Sequence, residues 1–154
     1  MASGASPKNE TSTLSISPEG LSIHMRIPAE RGYVNNAVLT LREVCDHLNL
    51  AVKQSNRIVL ALEEALLNSI EHAYEEVEQT GQIDLHFSVE GEEFLLVVED
   101  FGRGIPGDKN IDSIDDRSIL NDRGRGLCIL RGLSDKSVVQ ATDRGTRATM
   151  LFYI

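Results

Sequence analysis

A chain of 154 residues with 41% apolar content can form one domain with an adequate core. Its formal net charge of −9 argues against phosphate-backbone binding as the main business, because nucleic acid calls for a basic surface. No apolar run reaches transmembrane length. Cys45 and Cys128 each sit inside an apolar run, so they read as small core residues of a reduced compartment, not as a disulfide or half of a metal site.

The start, "MASGASPKNETSTLSISPEG", has neither a basic n-region nor an apolar h-region, so it does not read as a secretory signal. Its Ser/Thr/Gly/Pro content predicts a disordered tail over residues 1–20, ahead of one folded domain over 21–154. The expected setting is the cytoplasm. "LSIHMRIP" alternates, with Leu21, Ile23, Met25 and Ile27 on one face, and so predicts a strand ended by Pro28. Val34, Ala37, Val38, Leu41, Val44, Cys45 and Leu48 then recur at spacings of three and four, predicting an amphipathic helix of roughly four turns. The segment from Asn49 to Ser55 breaks it, and a second helix is predicted to about Glu76.

"QIDLHFSV" alternates again, Glu90-Gly91 reads as a hairpin turn, and the nearly continuous apolar run "EFLLVVED" predicts an inner strand. From Phe101 to Arg125 the composition turns to Gly, Asp, Asn, Ser and Arg, a long loop of the sort that is usually functional. "GLCILRGL" predicts a short helix opening at its glycines, and "KSVVQA" and "TRATMLFYI", joined by "TDRG", a final hairpin. The sum is an α/β two-layer sandwich: a mixed, largely antiparallel sheet with helices on one face.

Within the second helix, Glu64, Asn68 and His72 stand four apart, each offset by about 40° from the last, so they share one side, with Arg57, Glu71 and Glu75 in the same arc. Such a stripe is either a solvated face or, since Leu60 and Leu67 border it, the wall of a pocket. The inner strand runs into "EDFGRGIPG", which matches G-x-G-x-x-G at Gly102, Gly104 and Gly107. A dinucleotide site needs a helix opening at once, and Pro106 and "DKNIDSIDD" supply none. Asp100-Phe101-Gly102 mimics the D-F-G of protein kinases, but no V-A-I-K or H-R-D-L-x-x-x-N accompanies it. An acid at a strand end before G-x-G-I instead puts a carboxylate beside backbone that can approach a flat ligand closely. Gly124 and Gly126 in "DRGRGLCIL" open a helix whose N–H groups suit phosphates, with Arg123 and Arg125 adding charge.

Taken in order, these motifs resemble the GHKL ATPase superfamily of gyrase and histidine-kinase catalytic domains, and within it the anti-sigma factor serine-protein kinases of bacterial partner-switching systems. "VLALEEALLNSIEHAYEE" is similar to the family's E-A-x-x-N-x-x-x-H-A-Y stretch, "VVEDFGRGIP" to its D-x-G-x-G box, "GRGLCIL" to its G-x-G-hydrophobic box, and "RGT" to its terminal Gly-Thr. The similarity covers roughly Ile23 to Phe152. Phe101 departs from the Asn often found in D-N-G, which reads as a matter of packing.

The resemblance implies an ATP pocket and makes the pocket-wall reading of the stripe the preferred one. It implies that Asn68 ligates Mg²⁺ and that Glu64 is the general base. It implies that Asp100 accepts a hydrogen bond from the adenine amino group, with Thr146 supporting it directly or through water. By the same resemblance Gly102, Gly104 and Ile105 would pass against the base, and Arg123, Gly124, Gly126 and Leu127 would belong to the lid and the phosphate-binding turn. It further implies a protein-serine kinase that phosphorylates a small antagonist protein and sequesters a sigma factor or similar output partner, with a homodimer admitted and neither nucleic acid nor membrane among its partners. Two other functions fit the same resemblance: a nucleotide-gated binding module without phosphotransfer, and a switch kinase that activates a phosphatase.

Overall fold

The computed structural model describes residues 14–17, 20–73, 81–102 and 129–154. Six strands form one sheet: β1 (Leu14–Ser17), β2 (Gly20–Pro28), β3 (Gln82–Glu90), β4 (Glu93–Asp100), β5 (Lys136–Ala141) and β6 (Thr146–Tyr153). Their order is β1-β2-β3-β4-β6-β5, and every pairing among the described residues is antiparallel. The mixed sheet expected from the sequence is thus antiparallel throughout its described part.

Helix α1 spans Arg31–His47 and α2 spans Val52–Asn68. The chain reverses between them at Asn49, whose φ of 53° is left-handed. Asn49 N–H donates to the Asp46 carbonyl at 3.0 Å and Leu50 N–H to the Cys45 carbonyl at 3.1 Å, the bond pair of a Schellman ending. Asn tolerates that backbone where a β-branched residue would not. Val52, Lys53, Gln54 and Ser55, expected in the break, already belong to α2.

The period-2 strands and the period-3.6 helices bury matching faces. Ile83, Leu85, Phe87 and Val89 of β3, Phe94, Leu96 and Val98 of β4, and Ala148, Met150 and Phe152 of β6 are buried beneath Ala37, Leu41, Cys45, Ile58, Leu62 and Leu66 of the helices. Phe94 and Phe152 meet edge-to-face at 6.5 Å. Burial pushes the Cys45 thiol up, away from the reactive thiolate; Cys128 lies outside the described residues. The opposite face carries Ser22, His24 and Arg26, paired in register with Ser88, His86 and Asp84.

Three expectations change. Residues 14–17 form β1, inside the segment read as tail: "LSIS" is itself a short alternation, hidden by the Ser, Thr and Pro around it. The hairpin loop is Gly91-Glu92, since Glu90 pairs with Glu93 and the left-handed φ of 59° falls on Gly91. Beyond α2 the chain widens into a π-turn, Ser69–Ala73, so the α-helical spacing that aligned His72 with Asn68 does not extend there. Among the described residues no helix is long and apolar enough to cross a membrane.

Candidate functional site

Asp100 is the last residue of β4, and its alternation with Glu99 and Val98 turns it toward the helix layer, where it is 4% exposed. A carboxylate this buried needs donors around it. Two are backbone groups: Gly102 N–H and Thr146 N–H each donate to Asp100 Oδ1 at 3.2 Å. The first is a local turn closed by the acid on its own chain. The second crosses the ladder, because Asp100 and Thr146 are Cα partners of β4 and β6, 46 residues apart. Thr146 therefore supports Asp100 through its main chain.

Gly145 makes this approach feasible. A Cβ built there would lie 2.2 Å from the Asp100 carbonyl oxygen and 2.8 Å from its Oδ1. Thr142 holds the β5–β6 turn in place, its Oγ1 accepting from Gly145 N–H at 3.0 Å and its N–H donating to the Gly145 carbonyl at 2.9 Å. In the sequence Gly145 was only the first letter of a Gly-Thr pair, and its steric role becomes visible once the two strands are side by side.

Glu64 and Asn68 lie one turn apart near the end of α2, both half-buried. The opposite side of this helix sinks Ile58, Leu62, Ala65 and Leu66 into the core. Both α2 and the π-turn pack against β4, the strand that carries Asp100. Among the described residues neither Glu64 nor Asn68 spends its side chain on a hydrogen bond or ion pair. The bordering Leu60 is 49% exposed and Leu67 half-buried. Arg57, in the same arc, is committed elsewhere: its Nη2 donates to Asp135 Oδ2 at 3.0 Å, and its guanidinium lies 5.4 Å from the Phe152 ring centroid. Tyr153 N–H also donates to Asp135 at 2.7 Å, and these two donors hold the Asp135 carboxyl below its ordinary pKa. That pair ties α2 to the chain entering β5. Glu71, also in that arc, is exposed and paired with Arg31.

Gly102 is thus placed against Asp100, while Gly104, Ile105, Arg123, Gly124, Gly126 and Leu127 lie outside the described residues, as do the side chain of His72 and all of Glu75. A helical turn over residues 129–133 is the described end of the predicted "GLCILRGL" helix. Leu130 of this turn is 2% exposed, and its carbonyl accepts from Ser134 Oγ at 2.6 Å.

An open sheet with helices on one face and a buried acid at the end of an inner strand defines a two-layer α/β domain. Within that class, the chain belongs to the histidine kinase-like ATPase domain family, whose model matches residues 27–152. It is 30% identical to the serine-protein kinase RsbW of Staphylococcus aureus strain MSSA476 over 142 residues, 86% of each chain. The RsbW of strain MRSA252 is 29% identical over the same length. In fold it is similar to the crystal structure of the RsbU and RsbW domains of Rv1364c from Mycobacterium tuberculosis. The TM-score there is 0.65 at 20% identity, over 86% of this chain and 32% of the mycobacterial one. A histidine kinase domain from the Erythrobacter litoralis EL346 blue-light activated histidine kinase matches with a TM-score of 0.54 at 24% identity, over 82% of this chain and 61% of that one.

Proposed function

We propose that this protein is an ATP-dependent protein-serine kinase and anti-sigma regulatory factor, which phosphorylates a small antagonist protein and sequesters a sigma factor or similar output partner. The observation that carries the reading is the Asp100 carboxylate, buried and oriented by two main-chain donors on the strand beneath the helix of Glu64 and Asn68. The likeness to serine-protein kinases named RsbW supports the choice of acceptor.

In this reading the adenine amino group donates to Asp100, with Gly102, Gly104 and Ile105 against the base. Arg123, Gly124, Gly126 and Leu127 take the phosphates, where main-chain N–H groups and guanidinium forks suit oxyanions. Asn68 offers an uncommitted amide oxygen, a hard donor that fits Mg²⁺, an ion that needs few protein ligands beside phosphate and water. When bound, that ion neutralises charge on the phosphates. Glu64, one turn earlier, accepts the proton of the antagonist's serine hydroxyl as its oxygen bonds to the γ-phosphorus and the bond to the ADP oxygen breaks. The cytoplasm is the setting this reading requires.

A binder without chemistry has no use for a carboxylate one turn from the amide, and so Glu64 favours transfer over the nucleotide-gated module. The test is incubation with γ-labelled ATP and candidate antagonists from the native cell. Label on a serine of the antagonist, with release of the output protein from a pull-down when unphosphorylated antagonist is added, is the expected outcome. ATP binding with no labelled antagonist would leave a gated binding module. Label without release of a sigma factor, but with an activated phosphatase, would make it a switch kinase.

A further inference from the structure

Asp135 joins three parts of the molecule. Its N–H donates to the Leu151 carbonyl at 2.9 Å, and its Oδ2 accepts from Tyr153 N–H at 2.7 Å and from Arg57 Nη2 at 3.0 Å. Gln54, one turn before Arg57, adds a second tie to the same strand, its Nε2 donating to the Tyr153 carbonyl at 2.7 Å. One short stretch of α2 thus grips the end of β6 on both sides of Tyr153, directly and through Asp135. The Arg57 and Asp135 side chains are each 29% exposed, and the guanidinium lies 5.4 Å from the Phe152 ring centroid. A lone exposed ion pair holds little in place. A carboxylate shared between a main-chain N–H and a guanidinium seated on a ring is fixed in direction as well as distance.

What the clasp holds is the chain just before Asp135. Ser134 N–H and Oγ both donate to the Leu130 carbonyl, at 3.0 and 2.6 Å, and Leu130 is 2% exposed, so the turn over residues 129–133 is packed and closed onto its own end. Gly126 and Leu127, given to the phosphates under the proposed function, stand just ahead of that turn in the sequence. The other end of the clasp is on the helix of Glu64 and Asn68. At about 100° per residue these two lie only about 20° to either side of Arg57, roughly two and three turns further along. Arg57 therefore stands in line with the proposed base and metal ligand while it holds the chain that leads to the proposed phosphate turn. We propose that Arg57 is a positioning residue: through Asp135 it sets the placement of the turn 129–133 against the Glu64–Asn68 face of α2, and so aligns the triphosphate with the base. The inference rests on the kinase reading above. Arg57 acts through Asp135 and not on the nucleotide, and the base end of the pocket, at Asp100, is held by other groups, Gly102 and Thr146 N–H.

The test compares Mg·ATP with adenosine, which carries the base and no phosphate. Both are titrated into the full chain as parent, Arg57→Gln, Asp135→Asn and the double variant. Asp135→Asn keeps an acceptor for Tyr153 N–H while removing the charge that Arg57 pairs with, so β6 stays tied even if Arg57→Gln loosens the fold. Each single variant should weaken Mg·ATP about threefold to thirtyfold, the usual effect of a substitution that acts through a neighbour, and leave adenosine unchanged. The double variant should bind no worse than the weaker single, because both changes break one clasp. Equal losses for ATP and adenosine would make the pair a structural brace alone, and additive losses would mean that the two residues act separately. Either result overturns the proposal, as does parent-like ATP affinity in both singles. Parent-like affinity in the variants leaves the kinase reading standing, whereas a parent that binds no Mg·ATP removes that reading and this inference together.

Discussion

Asp100 and Gly145 approach so closely across the β4–β6 ladder that no side chain can stand between them: a Cβ on Gly145 would meet the Asp100 carbonyl oxygen at 2.2 Å. That oxygen and its carbonyl carbon are main chain, which cannot swing aside as the tip of a flexible side chain can. Gly145→Ala should therefore force the β5–β6 turn away from β4 and pull Thr146 N–H from the carboxylate. Overpacking of this sort costs about 1–3 kcal/mol. The expected outcome is a lowered melting temperature together with weakened ATP binding. Gly32→Ala is the contrast, since nothing lies within 4 Å of a Cβ there and the residue is inside α1. That change should stabilise by about 0.5–1 kcal/mol. Equal melting temperatures for the two variants would contradict the steric reading.

The proposed adenine contact is tested at Asp100 itself. A charge-assisted hydrogen bond is worth about 1.5–3 kcal/mol, so Asp100→Ala should weaken ATP by tenfold to a hundredfold in a calorimetric titration. Selection should fall as well. GTP presents a carbonyl where ATP presents an amino group, and a carboxylate repels the former, so the parent should prefer ATP and the variant should not. Parity between ATP and GTP in the parent would count against an amino-group contact.

How much of this site could be read from the sequence depended on range. The helix, its Glu64–Asn68 spacing and the acid before a G-x-G are local patterns, and the structure puts Glu64 and Asn68 on one helix packed against the strand of Asp100. The clasp between Asp100 and Thr146 is not local: the resemblance joined the two residues, but the main-chain form of the bond depends on β4 pairing with β6, which no periodicity of the intervening residues specifies. The π-turn after Asn68 was hidden, since "SIEHA" carries helix formers and nothing in it breaks α-helical spacing. The strand β1 was masked by composition. An average over Ser, Thr and Pro outweighed a four-residue alternation whose order comes from the ladder beside it.

The open face predicts a pH response. His24 and His86 stack with ring centroids 3.9 Å apart, and Ser22 Oγ lies 2.9 Å from His86 Nε2. Burial, and then the neighbouring His24, hold His86 below the ordinary histidine value of 6.5. Ser22, Ser88, Arg26 and Asp84 surround the pair, and the Arg26–Asp84 bridge leaves little net charge to offset a proton. With the folded pKa depressed, the unfolded chain binds the proton first. Stability from this group is full above about pH 6.5 and is lost as pH falls through the lower folded value. Urea midpoints should therefore drop between pH 7.5 and pH 5.5, and His86→Gln should flatten that slope. A slope unchanged in His86→Gln would assign the response to another group.

Glu64 separates chemistry from binding. Glu64→Gln keeps the length of the side chain and its hydrogen-bonding reach but removes its basicity. Glu64 is half-buried on the outer side of a helix whose other side fills the core, so the substitution leaves Ile58, Leu62 and Leu66 in place and the fold intact. If the carboxylate takes the serine proton, antagonist phosphorylation should fall by about 10²–10⁴-fold, the range for a lost general base. ATP affinity should stay nearly constant, because in the proposed reading the charge acts on the nucleophile and not on the adenine. Sequestration of the proposed output partner should survive, because in that reading it needs only bound nucleotide. Single-turnover phosphotransfer at saturating ATP, beside an ATP titration of the same variant, reads both quantities. Lost ATP binding with normal turnover in the bound complex would make Glu64 a ligand-positioning residue, and full activity would mean that the base is some other group.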